Sequence, residues 1–178
     1  MGKRYVMGNR ADGLSDILIE DEYVVTPEKP FKELWKNTET PADMSAPGDP
    51  VGDNPHAISH EPPDGGAIFR VVSWPPTPKG APLPTPEQVV AQHKAIHSVH
   101  IPTVEYLRTA KHPSMHKTDT LNYFIMIEGE IWSLSEGRDV LLKPGDVMVQ
   151  KGCIHGWRND SDKRAVMIAV LIDAIPPK

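Results

Sequence analysis

The sequence predicts an all-β protein built from short strands that turns connect. Nineteen prolines and thirteen glycines among 178 residues favour turns and short strands over long helices. From residue 121 onward, short apolar runs alternate with turn residues, as in a series of antiparallel strands. Apolar content of 39% and charged content of 24% are typical of globular chains, and the length suits a single domain over residues 1–178.

The first 66 residues are predicted to form N-terminal strands and a loop, and residues 67–178 the main barrel. Residues 41–66 are rich in Pro, Gly and Asp, which predicts a long loop. Strand-like runs occupy residues 15–20, 22–25, 31–35 and 67–74.

One short helix is predicted between the N-terminal strands and the C-terminal ones, ending near residue 98. Thr85 is a suitable N-cap, Pro86 suits the first helical position, and Gln88 completes a capping box. Three histidines of this segment are spaced to share one helix face: His93, His97 and His100. Three roles stay open for them: surface residues, a zinc site, or a lid that brings one histidine to a pocket.

The C-terminal strands are apolar on both faces. In the strand that begins at residue 121, Phe124 and Met126 share one face, and Tyr123 and Ile125 share the other. Further strands are predicted at residues 131–134, 140–142, 147–150 and 164–172. Since a barrel covers only one face, we expect N-terminal strands or a second subunit to cover the other, and hence a homodimer.

Two motifs carry most of the functional information. The first lies within residues 112–130; it contains His116 and ends in Glu-Gly-Glu around Gly129. The second lies within residues 143–159, where Pro-Gly-Asp precedes an apolar run and then His155-x-x-x-Asn. This pair resembles the two motifs of the cupin superfamily, and a weaker likeness to small cupins with a His-x-Thr first motif extends over nearly the whole chain.

The resemblance implies a fold: a cupin-type double-stranded β-helix, or jelly-roll barrel, with an N-terminal strand extension and one short inserted helix. It also implies a metal position, at which two of the four usual ligands are replaced. Asn122 stands where the family has a glutamate and Thr118 where it has a second histidine, so His116 and His155 remain.

The cofactor expected from this set is either one divalent transition metal (Zn, Fe, Ni or Mn) or none. Imidazole binds such metals well, whereas a hydroxyl or an amide oxygen is a weak ligand. Without metal, His116 and His155 would be hydrogen-bonded pocket residues or an acid–base pair. His112 is a weaker third ligand, because it would lie ~13 Å from His116 along a straight strand and needs Pro113 to bend the chain.

The pocket is expected to hold a small, partly hydrophobic molecule. The residues predicted to contact it are Thr118, Asn122, Phe124, Met126 and Trp157. Cys153 is interpreted as a buried, unreactive thiol. Arg70 and Arg158 are interpreted either as partners of an acidic ligand or as solvated surface residues.

Two functions therefore stay open. The first is an enzyme that acts on a small organic or aromatic acid, by decarboxylation, isomerisation, elimination or dioxygenation, with His116 and His155 as catalytic residues. The second is a non-catalytic protein that binds a small molecule in the same pocket.

Composition argues against other classes of function. The net charge of −5, without a Lys/Arg run, makes nucleic acid and anionic membranes poor partners. No run of ~18 apolar residues could cross a bilayer. Because the single cysteine excludes an internal disulfide framework, we expect a reducing, cytoplasmic location.

Overall fold

In the part of the chain that the structure describes, two antiparallel sheets, a separate hairpin and two short helices are formed. The computed structural model describes residues 2–46, 48–51 and 59–176. Part of the predicted loop over 41–66 therefore lies outside the described residues. The elements are β1 (Gly2–Asn9), β2 (Ser15–Tyr23), β3 (Phe31–Asn37), β4 (Ala67–Trp74), α1 (Pro86–Ala95), α2 (Val104–Thr109), β5 (Thr120–Glu128), β6 (Ile131–Ser135), β7 (Val140–Leu142), β8 (Val147–Lys151), β9 (His155–Arg158) and β10 (Ala165–Asp173).

The order of the strands is that of a jelly roll. The larger sheet runs β3-β4-β10-β5-β8 and the smaller one β7-β6-β9, while β1 and β2 pair only with each other. The last strand, β10, lies between β4 and β5 and is antiparallel to both. The prediction of an all-β, cupin-type double-stranded β-helix with an N-terminal strand extension is confirmed. That residues 1–178 form a single domain stays a prediction.

Side chains from both sheets fill the core. Along β5, residues 120, 122, 124 and 126 are buried, whereas 123, 125 and 127 are exposed, because successive side chains point to opposite faces. Burial of one large apolar side chain contributes about 1.5–3 kcal/mol, so this shared core holds the sheets together. Its members include Val72, Phe124, Met126, Ile131, Leu142 and Met167.

The described residues form two short helices, where the sequence predicted one. At α1 the predicted capping box is present, with Thr85 and Gln88 exchanging hydrogen bonds. This helix ends at Ala95, earlier than predicted, and His97 adopts a left-handed φ of 53° that cannot continue it. The unpredicted α2 has six residues and begins at the N-cap Thr103, and so short a segment carries little periodic signal. None of the helices among residues 2–46, 48–51 and 59–176 is long and apolar enough to cross a membrane.

The outer face of the larger sheet carries a contiguous exposed apolar patch. Tyr123 lies opposite Val149, and Ile125 lies opposite Val147, on adjacent strands β5 and β8. All four are exposed, from 40% for Tyr123 to 70% for Val147. Contiguous apolar surface of this kind is typical of contacts between subunits. The homodimer stays a prediction, and this patch is the surface that we expect it to bury.

We expect the wild-type protein to sediment as a dimer at micromolar concentration and Ile125→Glu to sediment as a monomer. A buried carboxylate at the centre of an apolar interface would cost several kcal/mol. The matched control is Leu83→Glu, at a residue that is also exposed but lies outside the sheets. A wild-type protein that is monomeric under these conditions would contradict the prediction.

Candidate functional site

A cavity of about 500 Å³ lies among β4, β5, β9, β10 and α1. Much of its lining is apolar and aromatic, with Phe31, Val72, Trp74, Val89, Phe124, Trp157 and Leu171. The polar part of the lining is dominated by histidine, with His60, His93, His112, His116 and His155. The two motifs therefore meet at a pocket that combines apolar surface with imidazole groups.

The two motif histidines are held face to face by the backbone. His116 and His155 form an isolated antiparallel bridge in which each N–H donates to the other's carbonyl, at 2.8 and 2.9 Å. Residues paired in this way project side chains to the same side, and the two imidazole centroids are 4.4 Å apart. The predicted pair is thus brought together at the cavity.

Each motif histidine uses its Nδ1 atom for anchoring. His116 Nδ1 lies 2.8 Å from the carbonyl oxygen of Ser114, and His155 Nδ1 lies 2.9 Å from that of Cys153. A carbonyl can only accept, so Nδ1 carries the proton in both rings. The neutral form then has an unprotonated Nε2, whose lone pair is free for a metal or a proton.

Two further histidines complete a cluster around His116. The His60 and His93 ring centroids lie 5.0 and 5.3 Å from that of His116, and 5.2 Å from each other. His93 comes from α1, in agreement with the interpretation of this helix as a lid. The helical zinc site does not form, because His97 is exposed and His100 instead contacts Glu61 and Asp119.

Sequence reasoning missed His60. It lies in the Pro- and Gly-rich region before β4, where no hydrophobic period or motif spacing singles out one residue. Its position depends on contacts with residues at least ten positions away, which local patterns do not encode.

A buried ion pair fixes the segment that carries His60. Arg70 of β4 is 2% exposed and donates to Glu33 of β3 at 2.9 Å. The same Nη2 atom donates to the carbonyl of Ser59 at 2.6 Å. The interpretation of Arg70 as a solvated surface residue was wrong, because its side chain is buried. Its role as a partner for an acidic ligand stays a prediction: the guanidinium lines the cavity and is already paired with Glu33.

A second set of contacts joins the same segment to the chain that follows α1. The His60 N–H donates to the carbonyl of Ile96, at the end of the helix. The next residue, Glu61, is buried and accepts the backbone N–H groups of Val99 and His100 at 3.0 and 2.9 Å. These bonds couple the positions of His60 and His93.

The clustered imidazoles are held in the neutral form. Burial first, and then repulsion from the neighbouring histidines and Arg70, lowers the pKa of His60 to about 2. Burial likewise lowers the pKa of His93 to about 4 and that of His155 to about 3. Burial also lowers the pKa of His116. Near neutral pH the cluster is therefore uncharged and rich in nitrogen lone pairs.

The predicted ligand-contacting residues divide into two groups. Thr118, Asn122, Phe124 and Trp157 line the cavity. The Thr118 hydroxyl is bonded to that of Thr120, whereas Oδ1 of the buried Asn122 has no partner. Met126 is 1% exposed and belongs to the core rather than to the cavity lining. It points to the same face as Phe124 but lies further along β5, beyond the end of the cavity lining.

Three other expectations are corrected or refined. Cys153 is exposed rather than buried, because it precedes β9 instead of lying in it. His112 lines the cavity and its Nδ1 is bonded to the Ser114 hydroxyl, but its ring is not packed on those of the cluster. Arg158 pairs with the nearby Asp160 at the surface.

The chemistry of the donor set suits a transition metal, although the side chains do not converge on one ion as they stand. Among the residues that the structure describes, no group of three or more His, Cys, Asp or Glu side chains is arranged to hold a metal ion. The donors themselves fit, because neutral imidazoles with Nδ1 anchored are good ligands for Zn, Fe, Ni and Cu. His60 Nδ1 is also buried without a partner.

We expect Glu33→Leu to lower the free energy of unfolding by about 3–5 kcal/mol, because Arg70 would be left as an unpaired buried cation. The double variant Glu33→Leu with Arg70→Met removes both charges and should recover most of that loss. Urea unfolding of the three proteins measures this. Equal stability of the single and double variants would contradict the assignment of a buried ion pair.

We expect metal-free protein to lose stability as the pH falls below about 6.5, the pKa of an unfolded histidine. The folded pKa values are lower, so the unfolded chain binds more protons in this range, and each clustered histidine contributes up to about 1.4 kcal/mol per pH unit. The stability is fully present above pH 6.5 and is lost towards the folded pKa values. His93→Gln should make the slope shallower in urea unfolding between pH 5 and 8, and an unchanged slope would contradict the neutral cluster.

Comparison with known proteins finds related sequences over part of the chain. Phomopsin biosynthesis cluster protein C' of Diaporthe leptostromiformis is 41% identical over 64 residues, which is 35% of this chain and 34% of that protein. Cupin-domain-containing oxidoreductase srdB of Neurospora crassa is 37% identical over 65 residues, or 35% of this chain and 33% of that protein. The matched part thus spans about a third of the length of these relatives.

Other comparisons add little. No protein-family model matches the chain. A cupin 2 conserved barrel domain protein from Salinispora arenicola is 17% identical, and the alignment covers 61% of this chain and 64% of that one with a TM-score of 0.36. At so low a score this likeness carries no argument. The chain has the strand order of the cupin fold and is similar to cupin-domain-containing proteins over about a third of its length.

Proposed function

We propose that this protein is a cupin enzyme that acts on a small, partly hydrophobic organic acid, aromatic acids included, inside the cavity. The observation that carries the proposal is the combination of a mainly aromatic lining with four clustered imidazoles. The volume of about 500 Å³ falls within the range of small-molecule sites, about 300–1,000 Å³.

The aromatic lining favours a flat or aliphatic ligand. The Trp74 and Trp157 rings are 5.5 Å apart, and Phe124 meets Trp157 edge to face at 5.0 Å. Such surfaces bind aromatic rings by burial and by edge or offset contacts. Asn122 supports a polar group on the same ligand, because its unpartnered Oδ1 can accept a hydrogen bond from a hydroxyl.

The acid group of the ligand would need a cation that the lining does not supply. Among the described residues that line the cavity, Arg70 is the only lysine or arginine, and it is paired with Glu33. A bound divalent metal would act as a Lewis acid that binds the carboxylate and activates oxygen groups. His155 and His116 would orient the ligand or take up a proton through Nε2, with each ring held by its Nδ1 hydrogen bond.

The names of the relatives favour oxidative chemistry over the other reaction types. One relative is named a cupin-domain-containing oxidoreductase, and another belongs to a biosynthesis cluster. We therefore propose dioxygenation first among the alternatives of decarboxylation, isomerisation, elimination and dioxygenation.

A second candidate is a non-catalytic cupin that only binds the ligand. One observation favours it: among the described residues, the cavity lining contains no Asp or Glu that could act as a general base. Under this alternative the histidines and Asn122 give selectivity without turnover.

The two candidates differ in the effect of His155→Ala. We expect the variant to bind benzoate, measured by quenching of Trp74 and Trp157 fluorescence, within about tenfold of wild type, while turnover falls by at least about 10²-fold. Turnover is followed as oxygen consumption and, for reactions that use no oxygen, as loss of substrate by chromatography, with a panel of substituted benzoates and with zinc-, iron- or nickel-loaded protein. His97→Ala, at an exposed residue outside the cavity lining, is the matched control.

The outcomes separate the alternatives. Loss of turnover with retained binding supports the enzyme. Binding without turnover in the wild type supports the binding protein. Failure of the wild type to bind any acid in the panel would contradict both, and benzamides used beside the benzoates show whether the negative charge is recognised.

A further inference from the structure

We propose that His60 and His93 are metal ligands of this protein, which join His116 and His155 in an all-imidazole site for a divalent transition metal. The two residues lie outside both sequence motifs, one on the segment before β4 and the other on α1. They would replace, as metal ligands, the residues at the two motif positions that Thr118 and Asn122 now occupy, because hydroxyl and amide side chains are poor ligands. The inference deepens the proposed function and partly rests on it, because this ion would be the cation that an acidic ligand needs.

The spacing of the rings is the first support. Two imidazoles bound to one tetrahedral ion at about 2.0–2.1 Å have ring centroids about 5 Å apart. The three centroid separations among His60, His93 and His116 are 5.0, 5.2 and 5.3 Å. His155 lies 4.4 Å from His116 on the same cavity. The side-chain nitrogens do not converge on one point in this structure, so metal binding requires these side chains to shift.

The hydrogen bonds of the rings are the second support. Three of the four imidazoles use Nδ1 in a bond: His93 to the Ser98 hydroxyl at 3.0 Å, and His116 and His155 to backbone carbonyls. This leaves Nε2 of each for a ligand bond, which is the usual arrangement in metal sites, where the second nitrogen is held by the protein. The fourth, His60, has a buried Nδ1 without a hydrogen-bond partner, and Glu61 Oε1 lies 3.9 Å from it.

The burial of His60 is the third support. A buried nitrogen without a hydrogen-bond partner is unfavourable, and two hydrogen bonds nevertheless hold this segment in place. Arg70 binds the carbonyl of Ser59, and the N–H of His60 binds the carbonyl of Ile96. A bound ion would satisfy the lone pair that the fold leaves unused.

Zinc and cobalt binding test the proposal directly. Metal-free wild type, His60→Ala, His93→Ala and His97→Ala are titrated with Co²⁺, whose visible absorption reports nitrogen coordination, and then with Zn²⁺ in competition. Elemental analysis gives the metal content of each protein after gel filtration. His97→Ala is the matched control, because His97 follows the same helix but is exposed.

We expect about one metal ion per wild-type chain and the same for His97→Ala. His60→Ala and His93→Ala should each bind Zn²⁺ at least about tenfold more weakly. Wild type without metal, or wild-type affinity in both variants, would overturn the proposal. Should His60→Ala not fold, His60→Gln replaces it, since it keeps the size and polarity of the side chain but removes the imidazole.

Benzoate binding in the zinc-loaded and metal-free proteins separates this proposal from the proposed function. Zinc bound at the expected affinity without benzoate binding would leave the metal site standing and contradict the proposed substrate class. Benzoate bound by wild type that takes up no zinc would contradict the metal site alone.

Discussion

The buried pair of Arg70 and Glu33 is the constraint on which the rest of the site depends. A guanidinium that is 2% exposed needs a counter-charge and hydrogen-bond acceptors close by. Glu33 matches the charge, and the carbonyl of Ser59 takes a second bond from the same nitrogen. The buried charge of Arg70, on the larger sheet, thus fixes the segment around His60, which belongs to no strand or helix. His60 is positioned as a result.

Three sets of contacts bring the four histidines together. The backbone bridge between residues 116 and 155 places the motif pair, the Arg70 contacts place His60, and the capped helix α1 places His93. Glu61 links the second set of contacts to the third, because it accepts hydrogen bonds from the backbone N–H groups of Val99 and His100 after the helix. Because the four imidazole rings are themselves buried, they are desolvated and neutral, which keeps their lone pairs free at the edge of an aromatic cavity.

The fold and half of the site could be predicted from the sequence. Strand alternation, turn residues and the spacing of the two motifs are local signals, and they placed the barrel strands and the pair His116 and His155. The capping box also placed the start of α1. The sequence could not predict that His93 is buried at the cavity whereas His97 is exposed, because this depends on where the helix ends and what it packs against.

The remaining half depended on contacts between distant parts of the chain. The position of His60 depends on contacts of its segment with Arg70 and Ile96, and the hydrophobic periodicity of the sequence does not encode such contacts. Met126 shares a strand face with Phe124, so the sequence could not show that the cavity ends between them. The exposure of Cys153 follows from the start of β9 two residues later, a boundary that alternation alone did not define.

The most direct test of this account is a measurement of distances between imidazole rings in solution. In metal-free protein, nuclear Overhauser contacts should join the ring protons of His116 to those of His60 and of His93, and none should join His116 to His97. Loss of the His60 contact in the Arg70→Met variant, with the His155 contact retained, would agree with the role of Arg70. Absence of contacts between His60 and His116 in the wild type would contradict the four-histidine cluster, and with it the proposed site.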